Sequence, residues 1–179
     1  MCLIEIWDLY NVNGQMLNRT CTNIDPLCSG EYHLYADIWT INYKNELLLT
    51  LRSPQKDTHP NKWENTGGSV LSGESSQQGA LRELYEETGI TATESELIKL
   101  GEMIGESTIY HIYILRKDVS ESDVILNPDE TVDAKWVTIE MLYDMIDEEL
   151  LVPAIKKKLG VVLEKIKQLQ FKTDWWTEE

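Results

Sequence analysis

The feature that most constrains this chain is the segment from Gly68 to Ile90, in which four glutamates are spaced along a predicted loop and helix. The helix is expected to run from about Ser76 to Thr88. Ser75 is followed three positions later by Gln78, a pattern that can form a capping box at the beginning of a helix. Gly89 suits the left-handed conformation that commonly follows a helix. The sequence therefore specifies both ends of this helix.

Three of these glutamates lie inside the predicted helix, in a stretch of only five residues. Because successive residues are rotated by about 100°, Glu83 and Glu87 lie one turn apart on the same face, with Glu86 beside them. Like charges at this spacing destabilise an isolated helix by about 0.2–0.5 kcal/mol per pair. Arg82 lies one turn before Glu86 and can pair with it, which leaves Glu83 and Glu87 facing each other. Carboxylates at this spacing suit Mg²⁺ or Mn²⁺, although an arbitrary acidic run is more often a solvated helix face.

The whole segment, residues 68–90, resembles the Nudix box, Gly-x5-Glu-x7-Arg-Glu-apolar-x-Glu-Glu-x-Gly-apolar, and every defined position matches without a gap. This resemblance implies a loop, a helix and a second loop packed on a mixed sheet. It also implies that Glu83 and Glu87 are metal ligands and that Glu86 is a ligand or a proton acceptor. Arg82 would be the residue that orients Glu86.

The same resemblance assigns roles to the glycines before the helix and to its apolar face. A backbone carbonyl near Gly67 and Gly68 would complete the ligands of the metal, because a residue without a Cβ lets the chain approach closely. The opposite face of the helix is expected to pack against the sheet through Leu81, Leu84 and Tyr85.

A second resemblance covers about residues 30–140. The stretch RSPQKDTHPNKWEN, which begins at Arg52, is similar to the isopentenyl-diphosphate-isomerase-like branch of the family. It implies that Arg52 and Lys56 bind the diphosphate of a substrate, Arg52 through its planar fork and Lys56 as a point charge. The alternative is a pair of solubilising loop charges. Glu130 would be a further metal ligand or a base, or merely the residue before an edge strand. Other matching positions are His33, Asn42, Asp129 and Trp136.

The isomerase pattern itself is incomplete. Isomerases of that branch need a Cys and a His after a shared Trp-x-Asn, together with a histidine-rich metal site. Here the Cys and His positions are Gly68 and Val70, and another metal-binding position is Pro26. His33 is the one histidine of that metal site that this sequence keeps. A single His in a strand is more often a packed, hydrogen-bonded residue than a metal ligand. Without a thiol no group is evident that could protonate an alkene, so these departures favour hydrolysis.

Composition limits the partners and the compartment. The 179 residues fit one domain, residues 1–179. The net charge of −15 disfavours nucleic acid polymers and anionic membranes as partners, but carboxylates can bind cations that in turn bind phosphate. No apolar run approaches a membrane span and the first residues lack the pattern of a signal peptide. Three cysteines without metal-type spacing indicate reduced thiols, and we expect a cytoplasmic protein.

Hydrophobic periodicity and turn residues predict the remaining elements. Two early strands should form an N-terminal hairpin around a turn at 11–14, and the segments 32–42 and 46–51 should form a second hairpin. Further strands are expected at 98–103, 108–115 and 132–137. A C-terminal helical extension should cover about 139–171, with Pro153 in the first turn of its second helix. The expected fold is α/β, a Nudix-type mixed sheet sandwiched between helices.

Together these features predict a metal-dependent hydrolase that cleaves a diphosphate bond in a small molecule, such as a nucleoside diphosphate linked to another moiety. Two alternatives stay open at this stage. One is an isopentenyl-diphosphate isomerase-like enzyme, and the other is a non-catalytic module of the same family that binds a nucleotide. The tail with Trp175 and Trp176 is expected to pack on the core, or else to contact a partner in a homodimer.

Overall fold

The computed structural model describes residues 4–170, and within them the chain forms nine strands and three α-helices. The strands are β1 (Ile6–Tyr10), β2 (Met16–Thr22), β3 (His33–Ile41), β4 (Leu47–Arg52), β5 (Trp63–Glu64), β6 (Thr66–Ser69), β7 (Leu97–Ile104), β8 (Thr108–Arg116) and β9 (Thr131–Val137). The helices are α1 (Ser76–Thr88), α2 (Ile139–Asp147) and α3 (Pro153–Gln170). Every strand and helix predicted from the sequence is present, whereas the short strands β5 and β6 were not predicted.

The central sheet is mixed, with β3 in its middle. Strand β3 pairs in parallel with β8 along its whole length, and β7 pairs antiparallel with β8 on the far side. On its other edge β3 pairs antiparallel with β6. Strand β4 is bordered by β5 and β9, both antiparallel. The hairpin of β1 and β2 forms a separate two-stranded sheet, joined to the rest by a bridge between Tyr10 and Tyr32.

Helices cover both faces of the central sheet, because its strands are apolar on both sides, as buried strands are. Alternate residues of β3 point to opposite faces. Trp39 and Ile41 belong to a core cluster with residues of α2 and α3, such as Leu142 and Ile155. Ala36 and Ile38 belong to a second cluster with α1, which contributes Ala80 and Leu84. The predicted α/β fold, with a mixed sheet between helices, is confirmed.

The second predicted hairpin is only partly correct. The chain does turn at 43–45, where Asn45 has a positive φ of 62°, but β3 and β4 pair only at Ile41 and Leu47. Beyond that point β4 diverges, because residues 35–38 of β3 are hydrogen-bonded to β6 instead. The divergence leaves the end of β4, at Arg52, beside the strands that carry Glu64 and Gly68.

Helix α1 begins and ends as the sequence indicates. The Ser75 side chain accepts a hydrogen bond from the Gln78 backbone while the Gln78 side chain accepts one from the Ser75 backbone, and Gly89 has the left-handed φ of 68°. The expected packing face is partly wrong. Leu84 is fully buried and Leu81 half-buried, but Tyr85 is 60% exposed. Gly79 and Ala80 pack against the sheet, because small side chains let the helix lie closer to it than a tyrosine would allow.

The C-terminal helices cover the face of the sheet opposite α1. Pro153 is the first residue of α3, as predicted. Two backbone hydrogen bonds with Trp63 fix the segment before it. The Trp63 N–H donates to the Leu150 carbonyl at 2.9 Å, and the Trp63 carbonyl accepts from the Val152 N–H at 3.0 Å. Trp175 and Trp176, for which packing or a dimer contact was expected, lie outside the described residues. Within residues 4–170 no helix is long and apolar enough to cross a membrane.

His33 is a packed residue, as the sequence analysis expected for a lone histidine in a strand. Its ring stacks on Trp7 with centroids 4.2 Å apart, and its Nε2 lies 3.0 Å from the Thr108 hydroxyl. Burial lowers the pKa of His33 to about 4. The unfolded chain, by contrast, binds a proton there at about pH 6.5.

This difference predicts that protonation at His33 destabilises the fold as the pH falls from about 6.5 to 4, because the unfolded state then binds more protons. We expect the His33 contribution to the free energy of unfolding to fall by about 2 kcal/mol between pH 7 and pH 4.5. Urea denaturation at both pH values checks this, with His33→Gln as the comparison because glutamine does not titrate. The variant should have the smaller loss on acidification; parallel losses in the two proteins would contradict the assignment.

Candidate active site

A cleft of about 750 Å³ lies beside the C-terminal half of α1. Eight of the nine residues singled out from the sequence line this cleft: Arg52, Lys56, Gly67, Gly68, Glu83, Glu86, Glu87 and Glu130. The ninth, Arg82, lies outside the lining but contacts two of the glutamates. Residues far apart in the chain, from the loop after β4 to the residue before β9, therefore meet at one place.

The glycines of β6 allow the closest contact in the cleft. A Cβ built on Gly68 would lie 2.0 Å from the Cδ of Glu83, so the carboxylate of Glu83 occupies the space of the missing side chain. A Cβ on Gly67 would lie 2.6 Å from the backbone oxygen of Ala36 on the neighbouring strand β3. Both positions consequently require glycine, one for the carboxylate and the other for strand packing.

Arg82 connects three glutamates to the backbone of β6. Its guanidinium donates to Glu74 at 2.9 Å, to Glu83 at 2.7 Å and to Glu86 at 3.2 Å, and it also donates to the carbonyl of Ser69 at 2.9 Å. The expected contact with Glu86 is present but is the longest of these. Arg82 thus orients Glu83 as much as Glu86, and it fixes α1 to the strand that carries Gly68.

Glu83 and Glu87 are carboxylates in an environment that disfavours their charge. Burial raises the pKa of Glu83 to about 7, although the neighbouring Arg82 acts in the opposite direction. Glu87 is 6% exposed, and its Oε2 is buried with no hydrogen-bond partner among the described residues. Burial, followed by the charges of Glu64 and Glu83, raises the pKa of Glu87 well above its ordinary value. A cation between these groups would relieve both effects.

Arg52 and Lys56 border the same cleft and are already paired with carboxylates. Arg52 donates to Glu64 at 2.5 Å and to the backbone oxygen of Thr58 at 3.0 Å. Lys56 forms an ion pair with Glu130. Both basic residues are part of the lining of the cleft, and each is paired with a carboxylate there.

Hydrogen bonds across the chain bring Glu130 to this loop. The Ser53 backbone N–H donates to the Glu130 carbonyl at 2.9 Å, and the next residue, Thr131, donates from its hydroxyl to the carbonyl of Glu87 at 3.0 Å. Thr131 and Ser53 are both about 1% exposed. The beginning of β9 is therefore fixed to the end of α1 on one side and to the loop after β4 on the other.

The donors in the cleft fit a hard divalent cation. Oxygen atoms are the ligands that Mg²⁺ and Mn²⁺ prefer. Glu87 presents a buried carboxylate oxygen that has no hydrogen-bond partner in the described part of the chain. Among residues 4–170, no three His, Cys, Asp or Glu side chains lie close enough together to surround a cation by themselves. Mg²⁺ commonly takes one or two carboxylates and completes its shell with water and substrate phosphate. Glu83, Glu87 and a carbonyl of Gly67 or Gly68 satisfy that requirement.

Four residues near the cleft were not predicted. The Tyr35 hydroxyl donates to the Gly67 carbonyl at 2.8 Å, and Glu64 is the partner of Arg52. Lys158 of α3 forms a buried ion pair with Asp37 of β3. The sequence does contain a signal for this pair: Asp37 is the only acid in the apolar strand β3, and Lys158 has the spacing of the apolar residues Ile155, Leu159 and Val162.

Comparison with known proteins identifies the family. The model of the NUDIX domain matches residues 31–159. An uncharacterized Nudix hydrolase of Listeria monocytogenes is 36% identical over 140 residues, which cover 78% of this chain and 83% of the relative. An isopentenyl-diphosphate Delta-isomerase of Camptotheca acuminata is 31% identical over 159 residues, covering 76% of this chain and 66% of that protein. The resemblance to the isomerase-like branch is therefore confirmed at the level of sequence.

A solved structure shows the same fold. The crystal structure of DR0079 from Deinococcus radiodurans superposes with a TM-score of 0.73 at 24% identity, over 87% of this chain and 96% of that one. At this level of identity the likeness concerns the fold alone.

The contact between Gly68 and Glu83 predicts the effect of adding one methyl group. In Gly68→Ala the new Cβ would displace the Glu83 carboxylate, so we expect binding of Mn²⁺ to weaken about tenfold or more, while the fold persists because the displaced group is the end of a flexible side chain. Titration calorimetry with Mn²⁺ measures this. Gly101→Ala is the matched control, since a Cβ there meets nothing within 4 Å. Equal affinities in the two variants would exclude a role for this contact in metal binding.

Proposed function

Because this chain belongs to the Nudix hydrolase family, we propose that it uses divalent cations, Mg²⁺ or Mn²⁺, to cleave a diphosphate bond in a small molecule, such as a nucleoside diphosphate linked to another moiety. The observation that carries the proposal is the pair Glu83 and Glu87, one buried against Gly68 and the other with a buried oxygen that has no partner among residues 4–170. Neither arrangement is favourable without a cation.

The chain's own residues have distinct roles in this proposal. Glu83, Glu87 and a backbone carbonyl of Gly67 or Gly68 would bind the metal, with Glu86 as a further ligand or base. Bound cations would neutralise charge on the diphosphate and lower the pKa of water. Arg82 is a positioning residue, because it contacts Glu83 and Glu86 and is not part of the cleft lining. Without it, two of the carboxylates would lose their orientation.

Two carboxylates are candidates for the proton acceptor, Glu86 and Glu130. Both line the cleft, and both are more exposed than the proposed metal ligands, with side-chain exposures of 51% and 40%. Glu86 is restrained by Arg82 and Glu130 by Lys56. Each therefore presents an oxygen to the cleft in a fixed direction, which is what general-base catalysis requires.

Arg52 and Lys56 are proposed to bind the diphosphate. Each side chain is already held in place by a carboxylate, so substrate binding does not have to order it. The guanidinium of Arg52 is further restrained by the backbone oxygen of Thr58. Preorganised cations of this kind lose little side-chain entropy on binding an anion, and Arg52 can present a planar fork to two oxygen atoms.

The two alternatives are less well supported. A non-catalytic module would be favoured by the loss of a box glutamate, and all four are present and gathered around Arg82 or the cleft. An isomerase would need Cys and His where this chain has Gly68 and Val70. Gly68 is filled by the Glu83 carboxylate, and Val70 is 4% exposed in the core beneath α1. Neither position leaves space for an additional catalytic side chain.

The remaining features are part of the same proposal. We propose one domain across residues 1–179, a cytoplasmic location and a small-molecule partner in place of a nucleic acid polymer or a membrane. The net charge of −15 supports the choice of partner, because it repels polyanions. The free thiols of Cys21 and Cys28 agree with a reducing compartment. Homodimer formation is testable by light scattering.

The first test of the function is metal dependence. Hydrolysis of a panel of nucleoside diphosphate compounds should cease with a chelator and return with Mg²⁺ or Mn²⁺. Glu83→Gln and Glu87→Gln should each lower turnover by about 10²-fold or more, as when a preorganised electrostatic element is removed. Glu94→Gln, a change of the same kind at an exposed position, should leave turnover unchanged.

Thermal unfolding separates lost function from lost structure in these variants. Because the pKa of Glu87 is raised in the folded protein, its ionised form opposes folding, and Glu87→Gln should unfold at the same or a higher temperature than the wild type at pH 8 without metal. An inactive Glu87→Gln that is also markedly less stable would argue for a structural role. Metal-independent turnover in both variants would refute the assignment of the site.

The second test concerns isomerisation. Since the Cys and His positions are Gly68 and Val70, we expect no interconversion of isopentenyl and dimethylallyl diphosphate. Incubation of either compound with the protein and Mg²⁺ in deuterated water, followed by NMR, measures the reaction directly. Deuterium at the allylic carbons would show that a different residue protonates the alkene, and it would overturn the restriction to hydrolysis.

A further inference from the structure

A second, smaller cavity of about 260 Å³ adjoins the cleft, and the mechanism proposed above does not use it. The two spaces share part of their lining, namely Tyr35, Arg52 and Thr58. Arg52 therefore lies between the carboxylates around Glu87 and this polar cavity. A diphosphate bound at Arg52 would have the cavity on its other side.

The cavity contains a buried cation with unused hydrogen-bonding capacity. Lys158 is 4% exposed and Asp37 is 1% exposed, and they form an ion pair. The other carboxylate oxygen of Asp37 accepts from the Trp39 indole at 2.8 Å, so both of its oxygens are used. An ammonium has three N–H groups, and within residues 4–170 Asp37 is the one hydrogen-bond acceptor found for Lys158. Its other contacts are with the rings of Tyr110 and Tyr35, whose centroids lie 4.9 Å and 5.7 Å from the ammonium nitrogen. These contacts leave N–H capacity for an oxygen atom in the cavity that Lys158 lines.

The aromatic residues of the cavity do not form a slot for a planar base. The Lys158 ammonium lies 4.9 Å from the centroid of the Tyr110 ring. Tyr110 and Tyr35 contact each other, with centroids 5.4 Å apart and ring planes inclined by 56°. A base stacked between two rings would need them parallel and further apart. The two tyrosines line the cavity together with the apolar residues Val152, Ala154 and Ile155.

The charges of the cavity balance. Arg52 is paired with Glu64, and Lys158 with Asp37. Beyond a diphosphate at Arg52, a further anionic group would find no net positive charge in the cavity, because both cations are already paired. An apolar chain would leave N–H groups of the buried Lys158 without acceptors, which is costly. An uncharged group with hydroxyls can accept from Lys158 and pack its carbons against the tyrosines. The lining therefore selects among anionic, apolar and hydroxylated groups by hydrogen bonding as well as by size.

We propose that this cavity binds a small hydroxylated, non-aromatic group carried on the diphosphate, such as a polyol or a sugar, and that Lys158 is its specificity-determining residue. The inference rests on the proposed function, because Arg52, which would bind the diphosphate, lines both the cleft and the cavity. It goes further in naming the class of the attached moiety. It also distinguishes this chain from the isopentenyl-diphosphate isomerase that it resembles, because an isopentenyl group has no hydroxyl.

The test compares kcat/KM for matched substrates with Mg²⁺: a nucleoside diphosphate joined to glycerol or to a hexose, the corresponding nucleoside triphosphate, and isopentenyl diphosphate. The wild type should prefer the hydroxylated substrates by about tenfold or more. In Lys158→Met this preference should fall at least tenfold, through KM more than kcat, while the isopentenyl value changes little. Lys157→Met makes the same change at an exposed position of α3 and should leave the preference intact.

Two further variants protect the test from a loss of folding. Lys158→Met leaves Asp37 buried without its cation, so Lys158→Met with Asp37→Asn removes both charges together. Ala154→Phe fills the cavity without altering either ion pair, and it should give the same selective loss. Thermal unfolding checks each protein.

The outcomes are distinguishable. Hydrolysis of the panel with the same preference in Lys158→Met, Ala154→Phe and the wild type would overturn this inference alone. A preference for the triphosphate or for isopentenyl diphosphate in the wild type would also overturn it, since the occupant would then be anionic or apolar. No hydrolysis of any member would overturn the proposed function and this inference with it.

Discussion

The close approach of α1 to β6 is the constraint on which the site and much of the fold depend. The carboxylate of Glu83 lies where Gly68 lacks a side chain, and Arg82 donates to the Ser69 carbonyl of the same strand at 2.9 Å. Strand β6 is in turn hydrogen-bonded to β3, the middle strand of the sheet. A side chain at position 68 would displace the Glu83 carboxylate from this place. It would thereby change the distances from that carboxylate to the groups attached to β3.

This arrangement lowers the stability of the folded state when Glu83 is ionised. Burial raises the pKa of Glu83 from about 4.5 to about 7, a shift that corresponds to about 3 kcal/mol against its ionised form. The sign follows from proton uptake: the folded state binds the proton more tightly than the unfolded chain, so this contribution to stability is lost as the pH rises from about 4.5 through 7. Glu87 acts in the same direction. A cation bound between them would remove the penalty, which links metal affinity to folding.

Much of the fold could be predicted because local signals were strong. The capping box at Ser75 and the glycine at 89 set the bounds of α1, and β-branched and aromatic residues predicted the strands β3 and β8. Tyr85 was misassigned since helical spacing alone cannot show that Ala80 brings the helix too close for a tyrosine. The short strands β5 and β6 carry no hydrophobic pattern, and only their partners in the sheet define them. The site residues in the box and the loop after β4 were found by motif, and their roles remain predictions.

The sequence did not predict the space beside β3 and β6 in which the residues of the cleft meet. Had β3 and β4 paired along their length, as the predicted hairpin implied, the edge of β3 at residues 35–38 would have been covered by β4. Because β4 diverges after the pair Ile41 and Leu47, β6 occupies that edge with two glycines, and space opens beside it. Tyr35 lies between these groups. Burial raises its pKa, and carboxylates that include Glu87 of α1 and Asp37 beside α3 raise it further. The pair Lys158 and Asp37, separated by 121 residues, meets because α3 packs on the face of β3 that carries Trp39 and Ile41. The divergence of two strands thus creates both the cleft and the cavity next to it.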